Sequence, residues 1–275
     1  MIYPGLCSIS FNNKLTWEQV VDLTASTVLR GIEWGGNIHA PHGDLERARA
    51  IKNRCRDAGL MVSSYGSYYR VGQMAPELPF AKVLDSALEL GAPMIRVWAG
   101  TKDHEEVNAQ EYQGVVDDTL AIAEMAAKAG VKIGFEYHPY TLTNSPAHTA
   151  ELEARVRHPA VEFYWQPPFG RGADYCASSL EGVLPRLANL HVFHWTIGSP
   201  EANTVHAGMR PLKFPDEFFR HPLSEGAALW RRYFDLAGGC QGNRWALLEF
   251  IKGDEPEQLK LDAATLAQLL VAEAS

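Results

Sequence analysis

Along the chain, short apolar runs of strand length recur, each preceded by a helical stretch and a break at a glycine or another small residue. Such runs close "RDAGLMVSSYG" (56–66), "LELGAPMIRVWAG" (88–100), "AAKAGVKIGFEYH" (126–138), "VRHPAVEFYWQPP" (156–168), "RLANLHVFHW" (186–195) and "AGGCQGNRWALLEF" (237–250). Glycine near a helix C-terminus accepts the left-handed conformation that ends the helix, and the run that follows is rich in β-branched and aromatic residues. Two further runs, "YPGLCSIS" (3–10) and "RGIEWGG" (30–36), bring the predicted strands to eight. Helical patterns separate them: "TWEQVVDLTASTVL" starts at Thr16, and Asp44 is placed to cap "LERARAIKNRCRDAG". Strands that alternate with helices are parallel, because a crossover helix returns the chain to the same end of the sheet. Eight such units in about 250 residues predict a (β/α)8 barrel, with a doubly wound open sheet as the alternative. The prediction takes residues 1–275 as one domain.

In such a barrel the active site lies at the C-terminal ends of the strands, so the polar residues that close each apolar run are the informative ones. This chain places Glu33, Tyr65, Arg96, Glu136 with His138, Gln166, His191 with His194, and Glu249 there. Any one of them alone reads as a strand end meeting solvent. Together, carboxylates and a histidine from separate strands can converge on one cation, and carboxylate oxygen with imidazole suits Mn2+, Mg2+, Co2+ or Zn2+. Glu136 and His138 share a face if extended geometry persists through Tyr137.

These segments resemble the xylose-isomerase-like TIM barrels, a group of sugar phosphate isomerases and epimerases that shares its fold with endonuclease IV. "FEYH" resembles the fifth-strand Glu-x-His segment, "LHVFH" the seventh-strand histidine segment and "LLEF" the eighth-strand glutamate; "GIEW" and "RVWAG" resemble the second- and fourth-strand runs. The resemblance implies Glu136, His191 and Glu249 as metal ligands. On the sixth strand, where the family commonly has Asp with His three residues later, this chain has Gln166 and Phe169. Gln166 offers an amide oxygen without charge, so the resemblance implies a more weakly held cation or a Gln166 that serves substrate. His194 stands where an acidic residue usually follows His191. A register shift of one residue exchanges strand faces, so either histidine is a candidate for the inward ligand.

A cation chelated by adjacent carbonyl and hydroxyl oxygens stabilises the enediolate left when a neighbouring proton departs. Glu136 and Glu249, on opposite sides of the mouth, are the expected bases for isomerising or epimerising a sugar, keto-sugar or polyol derivative. Dehydration or β-elimination of a keto-sugar or C-glycoside uses the same constellation. A sugar-binding protein with a decayed metal site is a further reading, resting on Gln166. Glu33, Trp34, Tyr65, Arg96, His138, His194, His206, Arg210 and Lys252 are expected to contact substrate. Trp34, Tyr65, Trp98 and Trp195 offer aromatic faces to sugar rings, and Arg96 either binds an anionic group or pairs inside the barrel. Residues 196–226, the longest stretch without helical periodicity, are expected to form a lid after the seventh strand that carries His206 and Arg210. Its aromatic and proline content equally suits a subunit interface and hence a homo-oligomer.

A net charge of -8 and a pI near 5.7 argue against nucleic acid or an anionic membrane as partner, and so against a nuclease on this barrel. The basic cluster "RARAIKNRCR" reads as a solvated helix face. No window approaches the roughly 18 apolar residues of a membrane span, and no basic-then-apolar leader opens the chain. The expectation is a cytoplasmic protein acting on a small sugar-like molecule. Cys7, Cys55, Cys176 and Cys240 lack CxxC spacing and are expected to be reduced packing residues.

Overall fold

The computed structural model describes residues 1–73, 77–197 and 218–271. The barrel strands are β1 (Ile2–Cys7), β2 (Gly31–Gly35), β3 (Met61–Arg70), β4 (Met94–Trp98), β5 (Lys132–Glu136), β6 (Val161–Trp165), β7 (Leu187–Val192) and β10 (Arg244–Leu248). They are parallel and close in that order, with β10 pairing back onto β1 from Ile2 opposite Arg244 to Leu6 opposite Leu248. Closure excludes the open-sheet alternative. The helices α1 (Trp17–Ala25), α2 (Leu45–Asp57), α3 (Phe80–Leu90), α4 (Ala109–Lys128), α5 (Pro146–Arg155), α6 (Ala173–Val183), α7 (Ala227–Gly238) and α8 (Pro256–Leu270) surround it. Thr16 caps α1 through a reciprocal box with Gln19, and the Asp44 carboxylate accepts from Arg47 N at 3.1 Å at the start of α2. None of the described helices is long and apolar enough to cross a membrane.

The stretch 196–226 is more regular at its ends than expected. β8 (His194–Ile197) and β9 (Phe218–His221) pair antiparallel, with His194 opposite His221, and a 3-10 turn follows at Leu223–Gly226. Residues 198–217 lie outside the described residues, and with them His206 and Arg210.

Alternation along the strands sorts the side chains. Ile32, Trp34, Ile95, Val97, Ile133, Phe135, Phe163, Trp165, Leu190, Val192 and Leu248 face outward and join the helices in one large core. Inside the barrel Cys7, Met94, Tyr164 and Leu247 pack into a floor. Above it, toward the strand C-termini, comes a polar layer of Glu33, Ser64, Arg96, Glu136, His191 and Glu249. This sorting overturns two expectations about the substrate pocket. Trp34 and Tyr65 are fully buried on the outer face, because Glu33 and Ser64, their neighbours along the chain, face inward. The Trp34 ring meets His39 edge-on at 6.0 Å, and the Tyr65 hydroxyl donates to Ala40 O at 2.8 Å.

Gly134 lies on the inner face of β5, one inward step below Glu136. A Cβ there would lie 2.6 Å from Cε2 of Tyr164. Tyr164 is itself held from the other side, its hydroxyl accepting from Asn189 Nδ2 at 2.9 Å, and its ring packs at 5.4 Å from His191. Gly134→Ala is therefore expected to destabilise the fold by about 1–3 kcal/mol. Urea unfolding measures it; an unchanged midpoint would mean that the floor yields without cost.

Candidate functional site

The polar layer is assembled from strands far apart in sequence. Glu33, Arg96, Glu136, Gln166, His191 and Glu249 are each 3% exposed or less. His191 stands at the centre: Nε2 is 3.3 Å from Glu33 Oε1, and Nδ1 is 3.3 Å from Glu136 Oε1 and 3.4 Å from Glu249 Oε2. These are charge contacts, since neither ring nitrogen meets hydrogen-bond geometry. Glu33 is saturated by Ser64 Oγ at 2.8 Å and Arg96 Nε at 2.9 Å, with the Cys7 thiol at 3.4 Å. Arg96 also donates to Glu136 Oε2, and so does the Trp98 indole. Of the two roles open to Arg96, the internal pair is the one formed. Gly66 makes room for it: a Cβ there would lie 2.7 Å from Arg96 Nη2.

Electrostatics divide the three glutamates. Burial pushes Glu33 up, but Arg96 and His191 outweigh it and hold the carboxyl at about 2. Glu136 is likewise pushed up by burial and drawn well below the carboxylate range, chiefly by Arg96. Glu249 has no guanidinium of its own. Burial raises it to about 7, with His191 pulling down and Glu136 pushing up. Burial works against the His191 imidazolium, yet the charges of Glu249 and Glu33 raise it to about 10. Burial, with Glu33 and Glu249 adding to it, keeps Cys7 a thiol.

Glu136, His191 and Glu249 each offer a ligand atom, all within 4.8 Å of one another. Cys7, Glu33 and His191 form a second such group, but Glu33 is already hydrogen-bonded on both oxygens and Cys7 is protonated. The first group fits a divalent cation. Glu249 Oε2 and both His191 nitrogens are buried without hydrogen bonds. Gln166 donates Nε2 to Tyr137 O at 2.9 Å, which fixes the amide and leaves Oε1 buried without a partner. Charge agrees: three carboxylates, one guanidinium and a dication on a neutral His191 leave the buried layer neutral. An aspartate at position 166 would leave it negative, so a neutral Gln166 is consistent with a retained site.

The remaining expected residues form the rim or lie off it. His138 is half-buried, with Nδ1 2.6 Å from Pro139 O and its ring 5.0 Å from Trp98; burial lowers its pKa despite Glu136. His194 belongs to the β8–β9 hairpin, its ring 5.4 Å from His221, so His191 is the inward histidine. Lys252 is exposed on the turn after β10.

On the rim, Tyr68, Phe169, Phe193 and Phe250 were not anticipated, whereas Trp98 and Trp195 were expected to offer aromatic faces. Tyr68 sits at a register shift in β3, with φ of +56°, which turns its ring toward Arg96 at 5.4 Å and Trp98 at 5.5 Å. Phe250 directly follows Glu249 with φ of +53°. Left-handed backbone at bulky residues costs roughly 1–2 kcal/mol each and gathers at functional sites. Phe250 joins Phe169, Phe193 and Trp195 in an aromatic wall, with Trp195 4.4 Å from Phe250 and stacked 5.0 Å from Phe169. Their placement after strand ends was the available signal. The bulge that reorients Tyr68 left none.

A cation bound to Nδ1 of His191 and to Glu249 displaces the protons those groups carry when the site is metal-free. Titration with Mn2+ in buffers of different ionisation enthalpy is expected to release about one proton per ion at about pH 8, and more at about pH 6, with affinity rising across that interval. Because the folded-state pKa of Glu249 is raised, metal-free stability should fall as pH rises from 4.5 through about 7, and Mn2+ should offset the fall. Affinity that is flat across this interval would contradict the assignment.

A family described as the xylose isomerase-like TIM barrel matches residues 21–264. A 3-dehydroshikimate dehydratase from Bacillus anthracis is 28% identical over 170 residues, covering 58% of this chain and 59% of that protein, so the match spans about three-fifths of the relative's length. The crystal structure of the probable 3-DHS dehydratase AsbF of Bacillus anthracis superposes with a TM-score of 0.74 at 23% identity, over 97% of this chain and 99% of that one. D-psicose 3-epimerase, crystallised in the presence of D-fructose, superposes with a TM-score of 0.68 at 13% identity, over 98% and 99%. At these identities the superpositions show a shared fold alone. With a family match that covers nearly the whole barrel, the chain belongs to the xylose isomerase-like TIM barrel family.

Proposed function

We propose that the chain is a divalent-metal-dependent lyase that removes water from a hydroxylated ketone, with 3-dehydroshikimate the first substrate to try. The observation that carries this reading is the inequality of Glu136 and Glu249. Arg96 and Trp98 both donate to Glu136 Oε2, whereas Glu249 Oε2 has no donor. One free carboxylate suits a reaction that needs one base. The likeness to a 3-dehydroshikimate dehydratase supports the same choice.

Glu136, His191, Glu249 and the Gln166 amide oxygen would hold the cation, which when bound would polarise the substrate carbonyl and stabilise an enediolate. Glu249 takes the proton from the carbon beside the carbonyl. The electron pair left on that carbon then forms a carbon–carbon double bond as the hydroxyl on the next carbon departs, and Glu249 returns its proton to that hydroxyl, releasing water. Arg96 and Trp98 keep Glu136 ionised and fixed throughout. The buried floor beneath, formed by Tyr164 and its neighbours, excludes water from below.

The second reading is isomerisation or epimerisation of a sugar with both glutamates as bases, favoured by the likeness to D-psicose 3-epimerase. It needs Glu136 to accept a proton while held by two donors. Purified protein loaded with Mn2+, Mg2+, Co2+ or Zn2+ and assayed on 3-dehydroshikimate and on ketohexoses separates the two. Glu249→Gln is expected to lose about 10²–10⁴-fold in kcat, and Glu136→Gln to act mainly through weaker metal binding. Equal loss of kcat in both variants at full metal occupancy, or deuterium exchange into a ketose without elimination, would favour the two-base reaction.

A further inference from the structure

Arg70 ends β3 at the barrel mouth, opposite Trp98 in the β3–β4 register. Its guanidinium lies over the Trp98 ring, 4.0 Å from the centroid, and the indole Nε1 of that ring donates to Glu136. One indole thus separates a cation from the candidate metal centre. Several other basic groups near the strand ends are matched, Arg96 by Glu33 and Glu136, Arg220 by Asp254, Lys102 by Glu111 and Lys14 by Glu255, while Arg171 and Lys252, without such a partner among the described residues, are exposed to water and Arg70 is half-buried. Among the described residues no carboxylate lies within 4.0 Å of Arg70, although the Glu136 charge reaches it, and the one hydrogen bond of its guanidinium is Nη1 donating to Gly100 O at 3.4 Å. A half-buried guanidinium with most of its donors unused carries a desolvation cost that an anionic ligand would offset. The wall formed by Phe169, Phe193, Trp195 and Phe250 is aromatic, which suits the flat face of a ring rather than a charge.

We propose that Arg70 binds a carboxylate of the substrate and so restricts this site to carboxylate-bearing cyclic ketones over neutral sugars. The proposal rests on the lyase reading of the same centre. A guanidinium seated over an indole is restrained in position, and its planar N–H fork matches the two oxygens of a carboxylate. A half-buried guanidinium without a carboxylate of its own also matches one negative charge. The substrate would reach from the cation side of Glu136 across Trp98, with its oxygenated carbons at the metal ligands and its carboxylate at Arg70.

Loss of one water from 3-dehydroshikimate gives the aromatic 3,4-dihydroxybenzoate, a probe whose neutral counterpart is catechol. Calorimetric titration of the Mn2+-loaded protein with each is expected to show about a 10- to 100-fold preference for the acid. Arg70→Gln should abolish that preference while keeping catechol and Mn2+ affinity, and Arg70→Lys should restore part of it. A purely structural role for Arg70 would instead weaken both probes together. Equal binding of acid and catechol by the wild type, a preference that survives in Arg70→Gln, or stronger competition from inorganic phosphate than from benzoate would overturn the proposal. If Arg70→Gln does not fold, the wild type compared with Arg70→Lys decides it, since Lys keeps the charge and loses the fork. An Arg70-dependent preference without turnover of 3-dehydroshikimate would support the carboxylate site and overturn the lyase reading.

Discussion

Buried charge governs this barrel. Three glutamates, from β2, β5 and the residue after β10, are shut away from water around one histidine and one arginine. An ionised carboxylate in such surroundings costs several kcal/mol unless cations answer it. Arg96 answers two of them, and His191 is left to face all three. The last carboxylate, Glu249, is therefore the one of the three that keeps a proton closest to neutral pH, and an incoming cation would displace it. Gln166 belongs to the same balance. A neutral amide oxygen would complete a ligand set whose charge a dication would already close, so what looks like a lost ligand when compared with the family pattern is compatible with a metal centre.

The fold delivers this layer through ordinary alternation. Outward residues supply the apolar contact with the helices, and inward residues form a floor of Cys7, Met94, Tyr164 and Leu247 below the polar groups. Glycines at 66 and 134 keep the interior open where Arg96 and Tyr164 pass close to the strands. Above the layer, left-handed backbone at Tyr68 and Phe250 turns aromatic rings over the mouth. The stability of the packed barrel offsets that strain, and the rim gains a geometry that unstrained strand ends would not provide.

The two sides of the mouth differ in kind. Trp98 links Arg70 to Glu136 on one side, while the other is lined by aromatic rings and carries Glu249 Oε2, buried without a hydrogen bond, close by. A centre built this way treats its two glutamates unequally. That inequality bears on chemistry more directly than the shared fold does, because dehydratases and epimerases are both found on it.

The order of eight strands, the helix caps at Thr16 and Asp44 and the polar closure of each apolar run are local patterns, and the amino-acid sequence by itself determined them. Glu136, His191 and Glu249 were legible for the same reason, since each ends or nearly ends such a run. Orientation was less legible. Trp34 and Tyr65 looked like pocket residues until Glu33 and Ser64 claimed the inner face, and His191 and His194 were separated only once β7 ended and the β8–β9 hairpin began. Arg96 as an internal partner, Tyr68 turned by a bulge and Arg70 without a carboxylate all depend on residues tens of positions away. A strand pattern of period two says which side chains share a face. Only pairing with neighbouring strands, through register and bulge, decides which face looks inward and which charges meet there.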